Sequence, residues 1–167
     1  MRTMYASHSS PHEPPQSTPD LPSRSLVVSA CTYAFVVWAV ATVALIAVGE
    51  LIIPTADTPA AAIVYVVTAI GAATAGWATG RLFIRRQRGR LAPLAAGTLL
   101  GCAIAVVGLT LDTVLVGSLG LGYPTVSDSR ADTIVVGLLV GHAAALLGGI
   151  IAGWHAKTNS ERSPDAP

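Results

Sequence analysis

Four long blocks of apolar residues, almost free of charge, dominate this sequence. They cover approximately residues 26–49, 59–80, 92–115 and 133–154. About 20 apolar residues in a helix cross the ~30 Å hydrocarbon layer of a bilayer, and each block is long enough to do so. Charged residues make up only 11% of the chain, against about 25% in a soluble domain. We therefore predict an all-α transmembrane four-helix bundle, and the composition argues against a soluble enzyme.

Local signals predict where two of these helices begin. The second block follows Asp57 and Thr58 and opens with Pro59. A capping side chain before a proline satisfies the free amide groups at a helix start. The third block has Pro93 near its start, where the missing N–H costs nothing.

The basic residues predict the orientation of the bundle. Nine of the ten lie in the two tails or between the second and third blocks, and only Arg130 falls on the other side. Because short Arg-rich and Lys-rich segments are retained in the cytoplasm, we expect both termini to be cytoplasmic and the protein to cross the cell membrane four times. We interpret the arginines at 81–90 as this topological signal rather than as a nucleic-acid site, so the expected partner is the lipid bilayer, with no nucleic acid.

The two ends of the chain differ from the apolar blocks. Residues 1–24 are rich in Pro and Ser and show no apolar periodicity, which is typical of disordered segments. Residues 156–167 are similarly polar. The predicted organisation is a cytoplasmic tail at 1–24, a transmembrane domain at 25–155 and a second cytoplasmic tail at 156–167.

Small residues recur at every fourth position of the last block. Such a stripe allows close approach of membrane helices, which associate by backbone packing because lipid tails are as apolar as leucine. We predict helix packing at this stripe and at a shorter one in the third block, either within the chain, in a homo-oligomer or in a larger membrane complex. The predicted positions are Gly97, Gly101, Gly137, Gly141, Ala145, Gly149 and Gly153.

Two polar residues within the apolar blocks are candidate functional groups, because burying such groups in a membrane is costly. His142 lies about nine residues into the fourth block, roughly 14 Å along a helix and near the bilayer centre. Its ring is expected to bond a neighbouring Thr or backbone carbonyl, or to act in a proton relay or substrate contact. Asp112 is expected near the outer boundary as a solvated carboxylate, unless the third helix begins nearer Leu94. The depths of the two residues therefore differ by some 10–15 Å, and they are not expected to act as a pair.

No catalytic motif occurs in the sequence. It contains no phosphate-binding loop, HExxH site, GxSxG elbow or Ser/His/Asp set. The two cysteines, Cys31 and Cys102, lie in apolar blocks without neighbouring metal ligands and are interpreted as small apolar fillers. We therefore predict no catalytic residue, no cofactor and no metal site.

The third and fourth blocks carry a resemblance to a known group of proteins. Leu111-Asp112 at the end of the third block, Tyr123-Pro124 after it and an Ala/Leu/Gly-rich last block resemble a family of uncharacterised small bacterial four-span membrane proteins. This resemblance implies an intact four-helix unit and no particular activity.

Two functional hypotheses follow. The first is an integral membrane protein without a catalytic site that acts as a helix-packing accessory or structural subunit. The alternative is a small-solute or proton-coupled transporter that uses His142, with Asp112 as a second candidate residue.

Overall fold

A computed structural model of the chain describes residues 22–56, 58–118 and 130–162. The described chain is helical: α1 Arg24–Ile52, α2 Pro59–Arg86, α3 Pro93–Asp112 and α4 Ala131–Arg162, with a short π-helical segment, Thr113–Ser118, directly after α3. Four helices are long and apolar enough to cross a membrane. The predicted fold class is therefore confirmed. Most of the predicted N-terminal tail, Asp57, the Tyr123-Pro124 pair and residues 163–167 lie outside the described residues.

The predicted helix starts are confirmed where they are described. The Thr58 hydroxyl accepts a hydrogen bond from the amide of Ala61 at 3.3 Å, and Pro59 is the first residue of α2. Pro93 opens α3 in the same way, without a side-chain cap. Proline thus fixes the first turn of both helices at positions that need no amide donor.

Two helices continue beyond the ends of their apolar blocks. α2 runs past Gly80 to Arg86, and α4 runs past Trp154 to Arg162, so the predicted C-terminal tail at 156 begins inside a helix. Arginine is a good helix former, and basic side chains are favourable at the C-terminal end of a helix dipole. The first charge after an apolar block therefore marks the end of the apolar surface and not the end of the helix. The connection between α2 and α3 reduces to residues 87–92.

The helices are arranged around the bundle in the order α1, α3, α4 and α2. α2 packs most extensively against α4, α3 packs against α4 and α1, and α1 touches α2 only at a few residues. In the described part of the chain, α1 and α4 do not pack against each other. The side of the bundle between α1 and α2 is consequently open.

One end of the bundle, which we term the Arg-rich end, gathers the start of α1, the end of α2, the start of α3 and the end of α4. Gln87, after α2, donates from its side chain to the hydroxyl of Ser29 in α1 at 3.5 Å. The ring of Phe83 in α2 packs edge-on against Tyr33 in α1, with ring centres 5.6 Å apart. Phe83 and Leu100 are fully buried here, and they provide the largest apolar side chains of the core.

Glycines allow the backbones of α2, α3 and α4 to approach closely. A β-carbon at position 149 would lie 2.9 Å from the carbonyl oxygen of Gly97, and one at position 153 would lie 2.8 Å from that of Pro93. Gly101 similarly faces the backbone of Leu146. On the α2 side, Gly76 lies against the backbone of Ala145. These close approaches are within the chain.

Two positions of the predicted stripe do not make such contacts within the chain, and packing against a second copy or another protein stays a prediction for them. A β-carbon at Gly137 would meet nothing within 4 Å, and one at Gly141 would make only an ordinary contact with Thr68, at 3.5 Å. Both glycines lie in the half of α4 that faces the open side of the bundle, where α1 does not reach α4. Gly148, outside the predicted stripe, instead packs against the backbone of Ala73.

Replacing Gly149 with alanine should destabilise the bundle, because the new methyl group overlaps backbone that has no room to move. We expect a loss of about 1–3 kcal/mol in the free energy of unfolding, as for other overpacked interiors. The matched control is Gly137→Ala, where the methyl group meets open space and should be neutral or stabilise the helix by roughly 0.5–1 kcal/mol. Unfolding in mixed micelles measures both; equal effects would contradict the packing described here.

Candidate intramembrane site

Three polar side chains from three different helices meet inside the bundle. The indole Nε1 of Trp38 in α1 donates a hydrogen bond to Oδ1 of Asp112 in α3 at 2.8 Å. The other carboxylate oxygen, Oδ2, lies 3.8 Å from Nε2 of His142 in α4. The Asp112 and His142 side chains are only 9% and 12% exposed. We refer to these three residues as the polar triad.

The structure decides between the two expectations for Asp112. α3 begins at Pro93, next to Leu94, and continues past Asp112 as the π-helical segment, so the carboxylate is buried rather than solvated at a membrane boundary. The expectation that Asp112 and His142 differ in depth by some 10–15 Å and do not form a pair is wrong, because the two side chains lie beside each other.

The depth estimate fails because it counted residues from the predicted ends of the spans. In the structure, Gly108 of α3 lies directly against the ring of His142, so Asp112 is only one helical turn, about 6 Å, further along. Cβ atoms lean toward the N-terminus of their own helix. Since α3 and α4 run in opposite directions, the two side chains lean toward each other and close most of this distance.

Gly108 gives the His142 ring the space that it occupies. A β-carbon at position 108 would overlap Nε2 of His142. Any larger residue would push the ring away from its place beside Asp112. Gly108 is therefore a positioning residue of the polar triad.

The hydrogen bond on the other side of the ring determines where a proton can be held. His142 Nδ1 lies 2.7 Å from the carbonyl oxygen of Leu138, in its own helix. A carbonyl oxygen can only accept, so Nδ1 carries a proton and donates it. The expected bond to a backbone carbonyl is present, and it holds the ring against α4.

With Nδ1 protonated, a neutral ring presents the bare lone pair of Nε2 to Oδ2 of Asp112. Oδ2 is buried and accepts no hydrogen bond in the described structure. Two electron-rich atoms facing each other at this distance are unfavourable unless one carries a proton. One proton between Nε2 and Oδ2 would turn this contact into an attractive one.

The triad lies at the wall of a cavity of about 500 Å³ between α1 and the α2–α4 pair. We call this cavity the membrane cleft. Trp38, Asp112 and His142 contribute its polar groups together with two hydroxyl side chains, and the rest of the lining is aliphatic or glycine. Its other lining residues include Thr42, Thr68, Val37, Leu45, Gly71, Ala72, Ile104 and Gly141.

The site does not resemble a metal centre. No group of three or more His, Cys, Asp or Glu side chains comes together among the residues described. Asp112 and His142 alone supply too few ligands for a closed structural metal site, which takes four.

Sequence reasoning identified Asp112 and His142 separately but missed Trp38 and Gly108. Trp38 lies 14 residues after Arg24, where α1 begins, roughly 21 Å along the helix and thus deep in the span. A buried indole N–H needs an acceptor, and Asp112 is an intramembrane acceptor on another helix. That requirement is the signal that could have paired them. Gly108 has no comparable signal, since one glycine among many carries little information.

The chain matches no protein-family model, no curated protein and no solved structure. The resemblance to the four-span bacterial family stays a prediction from the sequence, and Tyr123 and Pro124, which carry part of it, lie outside the described residues. The polar triad and the membrane cleft are therefore the features of the protein that point to a function.

Replacing Trp38 with phenylalanine should destabilise the protein, because Oδ1 of Asp112 loses its buried donor. We expect a loss of about 1.5–3 kcal/mol in the free energy of unfolding, the usual range for a hydrogen bond to a charged group. Trp154→Phe is the matched control: Trp154 is 64% exposed, and a change within about 0.5 kcal/mol is expected there. Equal losses of stability in the two variants would show that the hydrogen bond from Trp38 to Asp112 does not stabilise the polar triad.

Proposed function

We propose that this protein is a proton-coupled transporter of a small solute, with Asp112 and His142 as its proton-carrying pair. The observation that carries the proposal is the place of this pair at the wall of the membrane cleft, with Nδ1 of His142 already committed to Leu138. Ionisable groups inside membrane proteins commonly line ion or substrate pathways and proton relays. A solute bound in the cleft would lie next to the pair. Its binding would therefore change the affinity of the pair for a proton, and the proton would change the affinity for the solute.

The alternative hypothesis, a helix-packing accessory subunit, has less support. Its motivating feature was the small-residue stripe of α4. The tight contacts of Ala145, Gly149 and Gly153 are made to α2 and α3 of the same chain. These contacts therefore provide no separate argument for a second protein as a partner.

In this proposal α1 is the mobile element. It contacts mainly α3, touches α2 only marginally and forms one wall of the cleft. Rocking α1 about α3 would open the cleft while leaving the glycine-packed contacts of α2, α3 and α4 intact. The Trp38 hydrogen bond to Asp112 links the position of α1 to the state of the carboxylate.

The orientation is also part of the proposal. The Arg-rich end faces the cytoplasm of a bacterial cell and both termini are cytoplasmic, in agreement with the positive-inside rule. Asp112 is at the end of α3 away from the Arg-rich end, so the pair is nearer the outer side of the cell membrane. The small four-span bacterial membrane proteins that the chain resembles are its proposed family.

The test is proton movement into proteoliposomes that contain a pH-sensitive dye. Cationic, neutral and anionic solutes are added in turn, and at least one class should cause a proton flux in vesicles with the wild-type protein. Asp112→Asn should abolish this flux. Its amide oxygen still accepts from Trp38 and its amide N–H₂ faces Nε2, so the fold should be retained without the proton site.

Asp132→Asn is the matched control, because Asp132 is an exposed carboxylate in the first turn of α4 that does not line the cleft. It should support the wild-type flux. Equal flux in the Asp112→Asn variant, or no flux with any solute class in vesicles that contain folded wild-type protein, would overturn the proposed function.

A further inference from the structure

The charges along the membrane cleft select against anions. Among the described residues that line it, Asp112 is the one acidic group, His142 is the one group able to become cationic, and there is no lysine or arginine. α1 and α2 contribute no titratable side chain to this lining. An anion in the cleft would have no permanent positive charge to balance its own charge, in surroundings where solvent screens charges poorly.

The hydrogen-bonding groups of the cleft select against polar neutral solutes. The indole N–H of Trp38 is committed to Asp112, and Nδ1 of His142 is committed to Leu138. Beyond these, the lining offers only the hydroxyls of Thr42 and Thr68 among its side chains. A sugar or an amino acid would lose its bonds to water without enough partners in return, and each unmade bond is costly.

We propose that the solute is a monovalent organic cation with an apolar body, and that its binding displaces the proton of the Asp112–His142 pair. The inference rests on the proposed function and names its substrate class. The aliphatic walls match an apolar body. The ionised carboxylate and the Trp38 ring, which both line the cleft, match a positive charge, since indole is the best aromatic partner for a cation.

The exchange balances in charge and in protons. In the solute-free state one proton resides on Nε2 of His142 or on Oδ2 of Asp112, and the pair is neutral overall. When the cation binds, this proton leaves to water, the ring is neutral and Asp112 is ionised beside the cation. No covalent bond forms or breaks in the solute, and the net charge of the site is unchanged.

The test uses tetraphenylphosphonium as the probe and tetraphenylborate, of nearly the same shape and opposite charge, as its matched control. Equilibrium dialysis of the full chain in mild detergent should show binding of the cation and at least about tenfold weaker binding of the anion. Addition of the cation in weakly buffered solution should release about one proton per cation bound. Asp132→Asn should behave as the wild type does.

Two variants test the site. Asp112→Asn should weaken cation binding by at least about tenfold and abolish the proton release. Gly71→Leu should also weaken binding, because Gly71 lines the cleft and a β-carbon there would meet nothing within 4 Å, so the new side chain takes up space at the cleft wall without overlapping the backbone. The Gly71 variant decides the question even if the Asp112 variant fails to fold.

The outcomes separate this inference from the proposed function. Equal binding of both probes, or cation binding that neither variant weakens, would overturn the inference. If the cation does not bind while another solute class drives an Asp112-dependent proton flux, the substrate class is wrong and the transporter stands. If the cation binds and releases a proton but no solute class drives a flux, the binding site stands and transport is wrong.

Discussion

A carboxylate buried among hydrocarbon groups is the constraint on which this structure depends. The side chain of Asp112 is 9% exposed, and an ion in such a place is costly unless donors surround it. The fold supplies Trp38 from α1 on one oxygen and the ring of His142 from α4 on the other side. Three helices thus converge on one side chain. Because Nδ1 of His142 already donates to Leu138, Nε2 is the ring nitrogen that faces Asp112.

The small residues of the bundle help to position the polar triad, because their close contacts set the register of α4 against α3. Gly149 against Gly97 and Gly153 against Pro93 fix α4 relative to α3, and Gly108 then leaves room for the ring. The packing has a second consequence. The closest backbone approaches of α4 to α2 and α3 lie between Ala145 and Gly153, whereas a β-carbon at Gly137 would meet nothing within 4 Å, and α1 does not fill this side. The membrane cleft lies where the tight packing stops, with the polar triad at its wall.

The sequence predicted the helices and the candidate polar residues of this molecule better than the contacts between them. Apolar length alone fixed four helices, and Pro59 and Pro93 located two of their starts. The first charges after the apolar blocks did not predict the ends of α2 and α4, because arginine is compatible with a helix outside the hydrocarbon layer. His142 and Asp112 were identified because they are polar residues within long apolar blocks. Their contact was missed because depth was counted along separate helices, whereas helix register and side-chain direction are properties of the packed bundle.

The most direct test of this account is the position of the proton on His142, measured by ¹⁵N NMR of histidine-labelled protein in micelles. We expect the neutral ring to carry its proton on Nδ1, bonded to Leu138, and to present a bare Nε2 to position 112. The Asp112→Asn variant should shift the Nε2 signal, because an amide donor then faces it, and leave the Nδ1 signal almost unchanged. A neutral ring with its proton on Nε2 would contradict the account, since Asp112 and His142 would then form an ordinary hydrogen bond without a further proton.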